Sequence, residues 1–307
     1  MVGGCKLNIC MKQNEAWLSD ICSLVGCSFI GKDLIINNLN LCNRPSQFSS
    51  VLGYATSTKY INNIVTNKSV KALVVNNDVY LELEKVANIN NIEYSYIISD
   101  NPEFLFYDIH NTLWLHSNFY NKYLDEPQIG KNCRIHQSVV IETGVIIGNN
   151  VEIGPNSVIR RGTIIDDNTY IGCCSIIGSE GFQAIRGYNK HIRHVGRTHI
   201  HHDVCIGDNT TIGNALFEGF TEIGAYTKID NHTYIAHNFK CGNYCVITSS
   251  SVLLGSSVLQ NNIWIAPNSV VLNGIKIEDN AFIGTLSYVN KDVSKDSLIM
   301  GIPAREK

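Results

Sequence analysis

No stretch of this 307-residue chain approaches the roughly 20 consecutive apolar residues of a membrane span. The opening Met1-Val-Gly-Gly-Cys-Lys6 also lacks the basic-then-apolar pattern of an export signal. A cytoplasmic protein without a membrane span is therefore expected. An excess of either charge is missing too: 24 Lys and Arg stand against 27 Asp and Glu, a net charge of −3. Such a balance excludes a broad nucleic-acid surface. The cysteines number eleven, an odd count that fits reduced thiols better than a disulfide framework. Cys241 and Cys245 have no second Cys pair to complete a metal site, so packing thiols are expected there and no metal.

What the chain does have is a period of six. From Ile129 to Ile177 an isoleucine recurs at every sixth position, resumes at Ile200, Ile206 and Ile212, and resumes again from Ile223 to Val289 with Cys241, Leu253, Leu259 and Val271 among the aliphatics. Four positions after many of these stands a small or β-branched residue, as at Ser157, Thr163, Thr169, Thr233 and Ser251. Hexads are too short for a helix-pair repeat and mark a parallel β-helix. Three hexads close one triangular coil, so a residue lies beneath the one 18 positions later, and the chain makes about eight coils. The fold class expected is mainly β, a left-handed parallel β-helix preceded by a small α/β domain.

The boundaries follow from where the period starts and stops. Residues 1–125 lack it. Gln13–Val25, Val79–Ala87 and Phe104–Leu115 read as helices there. Ser28–Ile30, Leu34–Ile36, Val51–Tyr54, Ala72–Val75 and Tyr94–Ile98 read as strands. Residues 126–292 form the β-helix and 293–307 a tail. Two insertions interrupt the coils, a His-rich one between Ile177 and Ile200 and a five-residue one near Leu216–Thr221. Solenoid insertions project as loops, often over the binding face.

Several motifs stand in this frame: Tyr54-Ala-Thr-Ser-Thr-Lys-Tyr60, Asn101-Pro102, Gly178-Ser-Glu-Gly-Phe182, and Lys228-Ile-Asp-Asn231 followed by Ile235-Ala-His-Asn238. With the two-domain layout they resemble the UDP-3-O-acylglucosamine N-acyltransferase family of lipid A synthesis, over roughly residues 12–290. The resemblance implies a homotrimer with active sites between subunits, a nucleotide-binding role for residues 1–125, a uracil held by Tyr54 and Tyr60, and a catalytic histidine at His237. Two departures stand out. Ile212-Gly-Asn-Ala-Leu216 replaces a segment that carries Asp and Arg in the family, and Ile275 follows Asn273-Gly274 where the family has a second histidine. The ending Gly301-Ile-Pro-Ala304 resembles acyl-coenzyme A-dependent acyltransferases of nucleotide-linked amino sugars.

The main functional expectation is therefore N-acyl transfer from acyl-coenzyme A to the amine of a dTDP- or UDP-linked amino sugar destined for surface polysaccharide such as O-antigen. The alternative is the acyl-carrier-protein-dependent lipid A enzyme itself. His237, at the outward third hexad position, is the candidate general base. Gly255, one coil above it, is the candidate oxyanion donor through its backbone N–H. Phe182, Asn214, Asp230 and Asn238 join Tyr54 and Tyr60 as candidate substrate contacts. Gly301, Pro303, Ala304 and Arg305 are the candidate coenzyme contacts. Glu218 and Asp230 are the candidates to orient the imidazole, and Cys241 is near enough to test as an acyl carrier. Two rivals are a zinc site of the γ-carbonic anhydrase type drawn from His194, His199, His201, His202, His232 and His237, and a non-catalytic scaffold trimer.

Overall fold

Parallel strands need crossover connections, and the first part of the chain alternates strand and helix accordingly. The structure, a computed structural model, describes residues 15–306 in two compact units, Met1–Lys122 and Tyr123–Lys307. In the first, strands Asn38–Leu39, Val51–Ala55, Val70–Val75 and Ser95–Ile98 pair in parallel and in chain order. Helix α1 is Leu18–Val25, α2 Ile61–Thr66, α3 Asn77–Ile89 and α4 Pro102–His116. Val70–Val75 is buried at every position but Lys71, as a central parallel strand covered on both faces must be.

The caps explain where the helices begin. The Asn76 side chain accepts the N–H of Val79, so α3 starts at Asn77, two residues before the apolar spacing begins. Asn101 accepts the N–H of Phe104 at the head of α4, and Pro102 takes an early position where its missing N–H costs nothing. Ser28–Ile30 forms only a single bridge, Ile30 to Tyr96. Of the helix expected from Gln13, residues 13 and 14 lie outside the described residues.

The second unit is the expected parallel β-helix. Its two-residue strands stack into three parallel sheets. The register is the predicted one: Ile147 pairs with Ile165, Ile153 with Ile171, Ile247 with Ile265. Across the insertions it stretches to Ile165 against Ile200 and then Ile200 against Ile223, leaving the ladder unbroken. The hexad aliphatics fill the interior, fully buried from Ile159 to Ile177. At the narrow corners Ser157, Ser175 and Ser269 bury hydroxyls that donate to the carbonyls of Gly172, Gly207 and Gly284 in the next coil, at 2.7, 2.8 and 3.0 Å. Left unbonded, a hydroxyl buried there would destabilise the coil.

Two expectations change. The ladder runs past residue 292, because Val293 bridges to Ile277 and Leu298–Met300 pairs with the Phe282–Ile283 strand. Arg305–Glu306 then folds back antiparallel on Ile299–Met300. Cys241 is buried inside the coil beside Cys245, and its thiol is pushed far up by the hydrogen bond with Cys245 and by burial, so it is no nucleophile. Among the described residues, no helix is long and apolar enough to cross a membrane.

Candidate functional site

The strand Tyr234–Ile235 ends in the corner Ala236-His237-Asn238, where Asn238 adopts a left-handed backbone (φ 58°) that asparagine tolerates. That conformation turns the Asn238 side chain back onto the corner. Its Oδ1 accepts the N–H of Leu216 at 3.0 Å, which identifies the atom as oxygen, and lies 3.0 Å from His237 Nδ1. An amide oxygen only accepts, so Nδ1 carries the proton and Nε2 keeps its lone pair. The tautomer with a free Nε2 is set by Asn238, expected above as a substrate contact. The residues expected to orient the ring are engaged elsewhere. Glu218 accepts the Tyr123 hydroxyl at 3.0 Å. Asp230 sits on the preceding corner and accepts the N–H of Asn231.

Nε2 faces Gly255 in the coil above. A Cβ built on Gly255 would stand 2.8 Å from both His237 Cε1 and Nε2, closer than carbon and nitrogen tolerate. Gly255 does not have positive φ, so the corner needs glycine for room and not for its dihedral. Among the described residues, no oxygen accepts the Gly255 N–H. A reacting carbonyl beside Nε2 would find a free donor there.

The position of His237 differs from expectation. The third hexad position points outward from the coil, yet His237 is 7% exposed, because the insertion after Ile177 folds across it. His194 from that insertion packs edge-on against it, ring centroids 5.1 Å apart at 67°. Gly181 crosses the two rings: a Cβ there would meet His194 Nε2 at 2.5 Å and His237 Cβ at 3.1 Å. Glu180 ties the loop by accepting the His194 N–H at 3.2 Å and by lying 3.0 Å from His191 and 3.5 Å from Arg193. Asn214 lies beneath His237, as the Ile212–Ile235 register requires. Its amide donates to the carbonyls of His194 and Gly196, at 3.2 and 3.1 Å, so it holds the loop while its buried Oδ1 has no partner among the described residues. Phe182, at the loop tip, is 83% exposed and open to a ligand. By spacing alone His194 is a candidate zinc ligand and nothing more. The signal for its real neighbourhood was the glycine at 181, which lets the loop lie flat on two rings.

Of the expected zinc histidines, His232 is exposed on the corner before His237, so the two do not converge within the chain. His199 and His201 instead meet Asp166, whose carboxyl burial would push up but whose hydrogen bonds to both imidazoles hold well below the usual range.

In the first unit, Tyr54 is committed to its own domain. Its ring packs on Phe106 at 4.8 Å, its hydroxyl donates to Glu103 at 2.9 Å, and burial drives its titration far up. Tyr60 is half-buried with the Lys59 ammonium 4.8 Å from its ring centre. No ring contact joins the two tyrosines among the described residues.

The C-terminal turn is occupied in closing the coil. Gly301 O and Ala304 N bond to Tyr288 at 3.0 and 2.8 Å, Ala304 packs on the core, and the Arg305 guanidinium donates to Ala304 O. Pro303 lies within that turn.

A base-ready imidazole on a corner arrives with family evidence. The bacterial transferase hexapeptide family (six repeats) matches over residues 126–161 and 144–179. The UDP-3-O-acylglucosamine N-acyltransferase of Methylorubrum extorquens is 38% identical over 131 residues, covering 42% of this chain and 37% of that protein. The enzyme of the same name from Wolinella succinogenes is 34% identical over 135 residues, covering 43% and 42%. The matched part is thus less than half the length of these relatives. The UDP-N-acetylglucosamine acyltransferase of Campylobacter jejuni superposes with a TM-score of 0.53 at 22% identity, over 61% of this chain and 73% of that one. That likeness shows the left-handed β-helix. The chain resembles the hexapeptide-repeat sugar acyltransferases. The names correct the main functional expectation: these relatives carry the name given above as the alternative, so the reading as an acyl-coenzyme A-dependent enzyme of surface amino sugars is withdrawn. With it go the coenzyme roles of Gly301, Pro303, Ala304 and Arg305; the bonds of Gly301 and Ala304 to Tyr288 close the last coil.

Asn238→Ala frees the imidazole to take either tautomer. Turnover falls by roughly 10- to 100-fold, the size seen when a group that orients a functional histidine is removed, while the Michaelis constant for the acceptor changes little. Full activity in this variant, measured by steady-state kinetics, shows that Asn238 does not set the tautomer.

Proposed function

We propose that this chain is an N-acyltransferase that moves an acyl group from acyl carrier protein to the amine of UDP-3-O-acylglucosamine. The observation that carries the reading is the His237 imidazole, protonated at Nδ1 by its bond to Asn238 and facing the Gly255 N–H with Nε2. The name shared by the curated relatives supports the acceptor.

The step follows from those two groups. The sugar amine attacks the thioester carbonyl while His237 Nε2 removes its proton. The carbonyl oxygen gains charge and accepts the Gly255 N–H. The tetrahedral intermediate then expels the thiolate, which takes the proton back from the imidazolium. The amide and the free thiol are the products. Phe182 borders the acceptor in this reading, while Asn214 holds the loop beneath it, and residues 1–125 bind the nucleotide, with Tyr60 the more accessible of the two tyrosines.

The assembly in this reading is a homotrimer. Its support is one sheet whose outward positions are apolar along the whole unit: Val140, Val158, Ile176, Val252 and Val270, continued by Tyr234 and Tyr288 and broken only by Thr211. An apolar face of that length marks an interface, and closed cyclic symmetry buries three such faces equally.

The test is a mass-spectrometric assay with UDP-3-O-acylglucosamine and acylated carrier protein. The expected product is heavier by one acyl group on nitrogen, with free carrier thiol in equal amount. No product with this pair, under conditions where other nucleotide-linked amino sugars are acylated, overturns the assignment.

A further inference from the structure

Where the long insertion re-enters the β-helix, two imidazoles and a carboxylate come together. The first strand after the loop is Arg197–Ile200. His199 and His201 flank the inward Ile200, and alternation along a strand puts both on the outer side. Asp166 follows Ile165 in the coil beneath, locked in register by the bond of its N–H to Ile200 O at 2.9 Å. His199 Nε2 lies 3.1 Å from both Asp166 oxygens, and His201 Nδ1 lies 3.5 Å from Oδ2. The two rings lie 4.0 Å apart at 35°. One donor atom from each residue falls within 4.8 Å of the others, and all three residues are half-buried.

We propose that Asp166, His199 and His201 bind one divalent transition-metal ion of the zinc class. Two imidazole nitrogens and a carboxylate oxygen suit zinc, and also cobalt or nickel. They do not suit magnesium or calcium, which take all-oxygen shells. Bonds of about 2.0–2.1 Å in a tetrahedron separate ligand atoms by roughly 3.3 Å. The observed donor separations reach that with small side-chain rotations. Three protein ligands leave a fourth position for water on the solvent side. The His–carboxylate pair nearby, His202 with Asp203 at 2.8 Å, gathers no second imidazole among the described residues and makes an internal control.

The place in the fold gives the ion a consequence. The loop that lays His194 on His237 returns to the coil through this strand. An ion shared by Asp166 and the two histidines therefore fastens the base of the loop to the coil below it. This assignment is independent of the acyl-transfer reading, since none of its three ligands acts in that step.

Full-length protein stripped with a chelator is titrated with zinc chloride by calorimetry and followed by thermal unfolding. The expected result is one ion per chain with micromolar or tighter affinity, a rise in the unfolding midpoint, and no response to magnesium. Cobalt gives the intense visible bands of a tetrahedral site. His199→Ala, Asp166→Asn and His201→Gln each weaken zinc by at least tenfold, and His202→Ala does not. His201 is 37% exposed at its side chain, so His201→Gln keeps the fold and decides the matter if the others do not. No binding, or zinc affinity unchanged in His201→Gln, overturns the assignment.

Discussion

His237→Ala lowers turnover by roughly 10²–10⁴-fold, the usual contribution of a positioned general base. The backbone of the corner does not depend on the ring: Ser256 donates to His237 O, and the Asn238 N–H goes to Thr221 Oγ1. The coil therefore survives the substitution, at the cost of a cavity where His194 and the Gly181 loop met the imidazole. Circular dichroism and size-exclusion elution stay as in the wild type while the rate constant falls. A variant with activity within tenfold of wild type removes His237 from the chemistry.

Gly255→Ala has an effect of similar size for a different reason. The new methyl would stand 2.8 Å from Cε1 and Nε2 of His237. The ring has little freedom to retreat, since Asn238 holds Nδ1 and His194 lies along it. The imidazole must tilt off its bond to Asn238, and the methyl shields the N–H that a developing oxyanion would use. Removing one such donor alone costs roughly 10²–10³-fold. Stability changes little, because alanine restricts the unfolded chain and offsets part of the crowding. The measurement is turnover alongside the thermal midpoint. Turnover near wild type shows that neither the space nor the donor at 255 matters.

Both effects depend on a corner that the sequence marked and on neighbours that it did not. The coil was readable because one environment repeats. Each aliphatic at the sixth position enters the same interior, and each Ser or Thr four positions on enters the same narrow corner. Ile147 over Ile129 and Ile165 over Ile147 obey one rule. The same register puts Gly255 over His237 and Asn214 beneath it.

Loops have no period, and there the tertiary structure decided. The insertion after Ile177 and its return strand carry five histidines up to His202, and spacing does not tell them apart. Only its bonds to Asn214 and Glu180 determine that His194 lands on His237, while His199 and His201 land on Asp166. Leu216, from the second insertion, donates to the Asn238 oxygen, a partner that spacing does not reveal. Tyr54 matched a stacking motif, but α4 supplies Phe106 and Glu103 to bury and bond it. The Gly301–Ala304 ending looked like a coenzyme motif, yet its donors and acceptors close on Tyr288. A repeating local pattern determines what a residue does within its own coil. The partners of a polar group on a corner or loop come from residues distant in sequence, and only packing brings those together.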